Sequence, residues 1–130
     1  MGDRQMTLVD ASSWIEFLRG RSSEPSQRVK TLLLHGHAAW CEFTLVELWN
    51  GAQGHAEKRA LEELEMEVRL YAVNEQVWGK ARRLARRSRE KGVTATSGDI
   101  VVAACAVNYG LTLEHCDHHF DKILPIAAKL

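Results

Sequence analysis

Short apolar runs alternate along this chain with longer segments in which apolar residues recur every three or four positions, the pattern of strands interleaved with amphipathic helices. Met6, Leu8 and Val9 run up to Asp10 and predict a buried first strand. Ser13 and Glu16 have capping-box spacing, which predicts a helix starting at Ser13; residues 20–26, with Gly20 and Pro25, read as loop. A second helix is predicted over 27–35, with Val29, Leu32 and Leu33 on one face and a stop at Gly36. Residues 38–43 form the second predicted strand. Thr44 and Glu47 make another capping box, opening a helix towards Gly51 with Glu47 in its first turn. Residues 56–66 are helical by composition, and 68–73 form a third strand. Residues 75–90 are the clearest amphipathic helix, with Val77, Ala81, Leu84, Ala85 and Ser88 in one stripe. Residues 100–109 are apolar almost all round; their alanines and the stop at Gly110 make them a buried helix, opened by 96–99. A fourth strand follows at 111–113, and 125–130 add a final edge strand, where Lys129 suits an edge.

Apolar strands alternating with helices imply an α/β fold with a mostly parallel sheet covered on both faces. The 130 residues fit one domain, 1–130. No window approaches the roughly 18 apolar residues of a membrane span. The opening Met1-Gly2-Asp3-Arg4-Gln5 leads into a short apolar stretch unlike a signal peptide, so a cytoplasmic protein with no membrane association is expected. Cys41, Cys105 and Cys116 are odd in number and lack metal-knuckle spacing, which argues against a disulfide framework. Lys plus Arg equals Asp plus Glu at 17 each, so net charge advertises no polyanion partner. The charges are unevenly placed, however: 57–67 holds five glutamates and 80–91 holds seven lysines or arginines. That basic helix could track RNA phosphates or form an ordinary solvated face. Trp14, Trp40, Trp49 and Trp78 could stack bases, although Trp14 and Trp49 fit a core or a subunit contact better.

Ligands of open α/β sheets bind beyond the carboxyl ends of the strands. Asp10, Glu47, Asp99 and Asp117 all fall where the predicted chain crosses that edge. Singly, each has an ordinary explanation: Glu47 completes a capping box, Asp99 complements a helix dipole, and Asp10 and Asp117 are turn residues. Together, an oxygen-only cluster suits a hard divalent cation, Mg2+ or Mn2+, and metal-assisted hydrolysis of a phosphodiester. The tract His115-Cys116-Asp117-His118-His119 superficially resembles a zinc site, but adjacent residues are expected to point apart and no second ligand pair is spaced for it. A phosphoacceptor receiver domain is disfavoured, because the mid-chain acid is Glu47 and no lysine stands at the required place.

The segment Leu8-Val9-Asp10-Ala11-Ser12-Ser13-Trp14-Ile15 resembles the opening of PIN domains. Glu47-Leu48-Trp49-Asn50-Gly51 is similar to that family's second acid in its setting. Asp99-Ile100 through Gly110-Leu111-Thr112-Leu113 is similar to the third acid and its following strand, and Asp117-His118-His119-Phe120 to the fourth. Order and spacing resemble VapC-like toxins of type II toxin–antitoxin systems across nearly the whole chain. The resemblance implies a three-layer α/β/α fold with a roughly five-stranded sheet. It also implies a Mg2+- or Mn2+-dependent endoribonuclease acting on RNA as a homodimer, restrained by a cognate antitoxin. By position, Asp10, Glu47, Asp99 and Asp117 carry over as metal-site acids, and Ser12 as the supporting hydroxyl. Ala11 and His115 depart from the family, where hydroxyl residues are common; His115 bears on how Asp117 is oriented. The competing expectation is a catalytically inactive PIN-like domain that binds RNA or protein, against which the complete set of four acids argues.

Overall fold

The computed structural model describes residues 5–130; the first four residues, which entered the expectation about a leader segment, lie outside the described residues. In chain order the elements are β1 (Thr7–Val9), α1 (Ala11–Leu18), α2 (Glu24–Leu34), β2 (Ala38–Cys41), α3 (Glu42–Gly51) and α4 (Gly54–Glu67). They continue with β3 (Arg69–Tyr71), α5 (Glu75–Glu90), α6 (Ser97–Tyr109), β4 (Thr112–Glu114) and α7 (His119–Ala127). The four strands are all parallel, in the order β3-β2-β1-β4. Leu8 pairs with both Ala39 and Leu113, which sets β1 at the centre of the register.

Strand side chains alternate between the two faces of the sheet, and both faces are covered. Leu8, Ala39, Cys41 and Tyr71 pack with α5, α6 and α7 around Leu84, Val102 and Phe120. Val9, Ala38 and Trp40 face the other way, against Trp14, Val29, Leu48 and Leu61 of α1–α4. This is the expected three-layer α/β/α arrangement. Cys41 and Cys105 are buried as small core residues, while Cys116 is exposed. Helix α6 is buried almost all round from Ile100 to Ala106 and stops at Gly110, whose φ of +66° closes the helix in the left-handed region that glycine tolerates.

Several local expectations are corrected. The first helix is capped by Asp10 rather than Ser13, because the Asp10 side chain takes the Ser12 N–H; Ser13 is buried and donates to Glu114 instead. Pro25 lies in the first turn of α2 behind the Ser23 cap, where its missing N–H costs nothing, so the predicted loop is shorter. Helix α3 begins at Glu42, leaving Thr44 buried inside it beside the Cys41 sulfur, and Glu47 falls in its second turn. The final edge strand is a helix, and the sheet has four strands among the described residues rather than five. Phe120, Ile123 and Ile126 recur every three residues and enter the core. Burying side chains of this size contributes roughly 1.5–3 kcal/mol each, which offsets the about 3 kcal/mol expected for Pro125 inside the helix.

Candidate metal and nuclease site

The strand order reverses between β1 and β4, since β2 and β3 extend the sheet on one side of β1 and β4 is added on the other. The crevice beyond the carboxyl ends of such neighbours is where open α/β sheets bind ligands. Asp10 follows β1 there. Its N–H donates to the Glu114 carbonyl at 2.9 Å, which ties it to the end of β4. It is 5% exposed. Its Oδ2 accepts the Ser12 N–H at 3.0 Å and the Ser12 hydroxyl at 2.7 Å. The same hydroxyl accepts the Cys116 N–H at 3.2 Å, so Ser12 links Asp10 to the β4–α7 loop that carries Asp117.

Glu47 projects from α3 and Asp99 from the first turn of α6. The Glu47 carboxyl is pushed from its ordinary 4.5 to about 7, mainly by loss of water around the charge, then by the neighbouring charges of Asp10, Asp99 and Cys41. The residue as a whole is exposed, but its carboxylate shares a tight space with the Phe43 ring above Gly98. A Cβ on Gly98 would lie 2.9 Å from Phe43 Cε2 and 3.1 Å from Glu47 Oε2. Asp99 is also raised, first by burial and then by Asp117, with Asp10 adding; the Thr96 hydroxyl and His119 oppose the shift. Asp99 Oδ2 is buried with no hydrogen-bond partner. Partial burial also works to raise Asp117, but the His119 backbone N–H and ring, with His118 nearby, outweigh it and hold Asp117 below its ordinary value.

The four predicted acids are therefore near enough to act on one another's charge, but not equally disposed. Asp10, Glu47 and Asp99 act on one another's charge from three separate elements, which makes this the oxygen-only recess of the site, although their ligand atoms are not gathered as closely as those of Asp117, His118 and His119. Asp117 stands beside Asp99 with Oδ1 already engaged by the His119 N–H at 3.0 Å and by its Nδ1 at 2.8 Å. Ligand atoms of Asp117, His118 and His119 also lie within 4.8 Å of one another. The expectation that these neighbours point apart is corrected: the turn into α7 stacks the two imidazoles at 4.4 Å. That group offers one oxygen and two nitrogen donors, whereas the carboxylates of Asp10, Glu47 and Asp99 offer oxygen alone, the donor set that suits a hard cation. The buried, unpartnered oxygen of Asp99 is the group such a cation would satisfy.

His119, weighed in the sequence only as part of the 115–119 tract, and Gly98 were not among the predicted site residues. The Asp-x-His spacing was a usable signal for the first; nothing local marked the second. Glu114, another acid at a strand end, is committed elsewhere: Ser13 donates to Oε2 at 3.0 Å and Arg28 to Oε1 at 2.8 Å. Trp14 and Trp40 are buried core residues, and Trp49 donates to Glu65 at 2.7 Å, leaving Trp78 as the exposed indole.

The PIN domain profile matches residues 7–123, a span that contains all four acids. The chain belongs to the PIN-domain family. Within it, the chain is 31% identical over 125 residues to Ribonuclease VapC11 of Mycobacterium tuberculosis, covering 93% of each chain, and so falls among its VapC members. Among solved structures, VapBC2 from Rickettsia felis, bound to a DNA fragment from its promoter, superposes with a TM-score of 0.76 at 13% identity, over 92% of this chain and 93% of that one. DNA-bound VapBC from Salmonella typhimurium gives 0.75 at 17%, with the same coverage. At those identities the likeness shows the PIN fold, here with four parallel strands. Among the described residues no helix is long and apolar enough to cross a membrane.

Proposed function

We propose that this PIN-domain chain is an Mg2+- or Mn2+-dependent endoribonuclease acting as the toxin of a toxin–antitoxin pair. Its partners are RNA, a cognate antitoxin and a second copy of the chain. The observation that carries the reading is that Asp10, Glu47 and Asp99, from three separate elements, raise one another's charge cost, while one Asp99 oxygen is buried without a partner. Kinship with a ribonuclease at 31% identity supports the reaction class, and structural neighbours that are VapBC complexes support the antitoxin.

In this reading Asp10, Glu47 and Asp99 hold the cation, and Asp117 orients the site through His119. When bound, the cation supplies Lewis-acid charge at a phosphate and makes a water molecule more acidic. Ser12 fixes the Asp10 carboxylate and the β4–α7 loop in one geometry. The Glu47 carboxyl, pushed up to about 7 in the metal-free protein, must be ionised to hold a cation, so binding strengthens as pH rises towards that value.

The test is cleavage of total RNA by purified protein. Activity is expected to vanish in excess chelator and return with Mg2+ or Mn2+. Asp99→Asn keeps the shape and removes one repelling charge, so it is expected to abolish cleavage while leaving the metal-free melting temperature equal or higher. Full activity in chelator, or an active Asp99→Asn protein, would overturn the metal-site mechanism, and RNA left intact with either metal would return the chain to the inactive binding-domain alternative.

A further inference from the structure

Between α5 and the N-terminal end of α6 lies a cleft of about 360 Å³ that the metal site does not use. One wall is a single stripe of α5: Trp78, Arg82, Ala85 and Arg89, spaced four, three and four residues apart and so aligned along one side of the helix. Ala81, Ile100 and Val101 form an apolar floor. The opposite lip runs from Val93 to Ser97, and Ser97 stands two residues before Asp99. The cleft and the acids thus meet at the first turn of α6, Ser97 facing the one and Asp99 a different side of the helix.

Its lining specifies an occupant with both a flat apolar face and negative charge. Trp78 is 43% exposed, although the same helix buries Val77, Ala81 and Leu84. Arg82 and Arg89 are exposed, and neither has a carboxylate partner among the described residues; the ion pair on this helix is Arg86 with Glu90 at 3.7 Å, further round its surface. The two guanidinium groups lie seven residues apart, about 10 Å along the axis, and so address separate phosphates. An apolar peptide would leave both cations unmatched, and a bare phosphate would leave the indole and the apolar floor unused. A nucleotide chain uses both.

We propose that this cleft seats a single-stranded RNA segment beside the cleavage point, with a base stacked on Trp78 and phosphates on Arg82 and Arg89. The inference rests on the ribonuclease reading and names where the substrate lies.

The test uses the full chain and a fluorescein-labelled single-stranded RNA of about twelve nucleotides. Binding is followed by anisotropy in chelator across a salt series, and cleavage is measured separately with Mg2+ or Mn2+ added. Trp78→Ala is expected to weaken binding about tenfold without changing its salt dependence, and Trp78→Phe to retain most of the affinity. Arg82→Gln with Arg89→Gln is expected to flatten the salt slope by about 1.4, the value for two contacts to a single strand. Lys58→Gln with Arg59→Gln, on α4 and outside the cleft, should bind as wild type. All these residues but Trp78 are well exposed charges, so melting temperatures should hold. If the cleft variants bind RNA like wild type while wild type cleaves it, the cleft proposal fails and the ribonuclease reading stands. Cleft variants that keep RNA affinity but lose the antitoxin would likewise overturn it, assigning the cleft to protein. Wild type that neither binds nor cleaves RNA with either metal would sink both.

Discussion

Replacing Glu47 with Gln preserves the shape above Gly98 and removes one negative charge from the recess. In the metal-free protein the Glu47 carboxyl titrates at about 7 rather than its ordinary 4.5, because the charge has lost water and faces Asp10 and Asp99. Between those two values the folded chain holds a proton that the unfolded chain has released. Stability from this group is therefore greatest below 4.5, falls as pH rises through the window, and is lowest above 7. At about 1.36 kcal/mol per pH unit, the full penalty would be roughly 3 kcal/mol. Glu47 is exposed, and solvent screening brings the expected effect down to about 1 kcal/mol. Glu47→Gln should thus stabilise the metal-free protein by about 1 kcal/mol, roughly 4 °C in melting temperature, near pH 8. Near pH 4, where the wild-type carboxyl is neutral in the folded state, it should do almost nothing. Melts in chelator at both pH values measure this, and repeating them with Mn2+ measures the metal's contribution. Wild type should gain more from the metal, because the variant lacks a ligand and binds more weakly. A Glu47→Gln protein that melts at or below wild type near pH 8 in chelator, and gains as much from Mn2+, would refute the crowded-carboxylate account of the recess.

Gly98→Ala places a methyl group 2.9 Å from the Phe43 ring and 3.1 Å from Glu47 Oε2. Alanine otherwise suits a helix better than glycine, so melting should change little while cleavage falls by about 10²-fold through displacement of Glu47, measured as kcat/KM on a defined RNA. Ser12→Ala removes the 2.7 Å bond to Asp10 and the acceptor for the Cys116 N–H. It should cost about 1–2 kcal/mol in urea unfolding and raise the Mn2+ concentration needed for half-maximal cleavage.

Much of the architecture was legible because it is written at short range. Alternation in strands and the three- or four-residue recurrence in helices are properties of near neighbours, and they located β1, β2, α5 and α6 within a few residues. The errors occurred where two local signals competed. Ser13 and Glu16 have capping-box spacing, but Asp10 caps the helix because its backbone is already pinned to Glu114 on another strand. Thr44 and Glu47 have the same spacing, yet burial of Thr44 draws it into the helix interior. The C-terminal apolar run was too short for its period to be decisive. Packing of Phe120 and Ile123 into the α5–α6 layer made it helical despite Pro125.

By itself, the sequence determined an α/β chain with four acids near the carboxyl edge of its sheet, since the order of apolar runs and the residues that follow them requires no distant partner. Tertiary structure decided which acids come near enough to act on one another's charge. The reversal of strand order puts β4 beside β1, bringing the loop that carries Asp117 within hydrogen-bonding reach of Ser12. The missing side chain of Gly98 lets Glu47 lean towards Asp99, and Asp117 is drawn to His119. Those distances depend on residues as much as a hundred positions apart. Burial and charge repulsion then set the protonation of Glu47 only after the packing is complete.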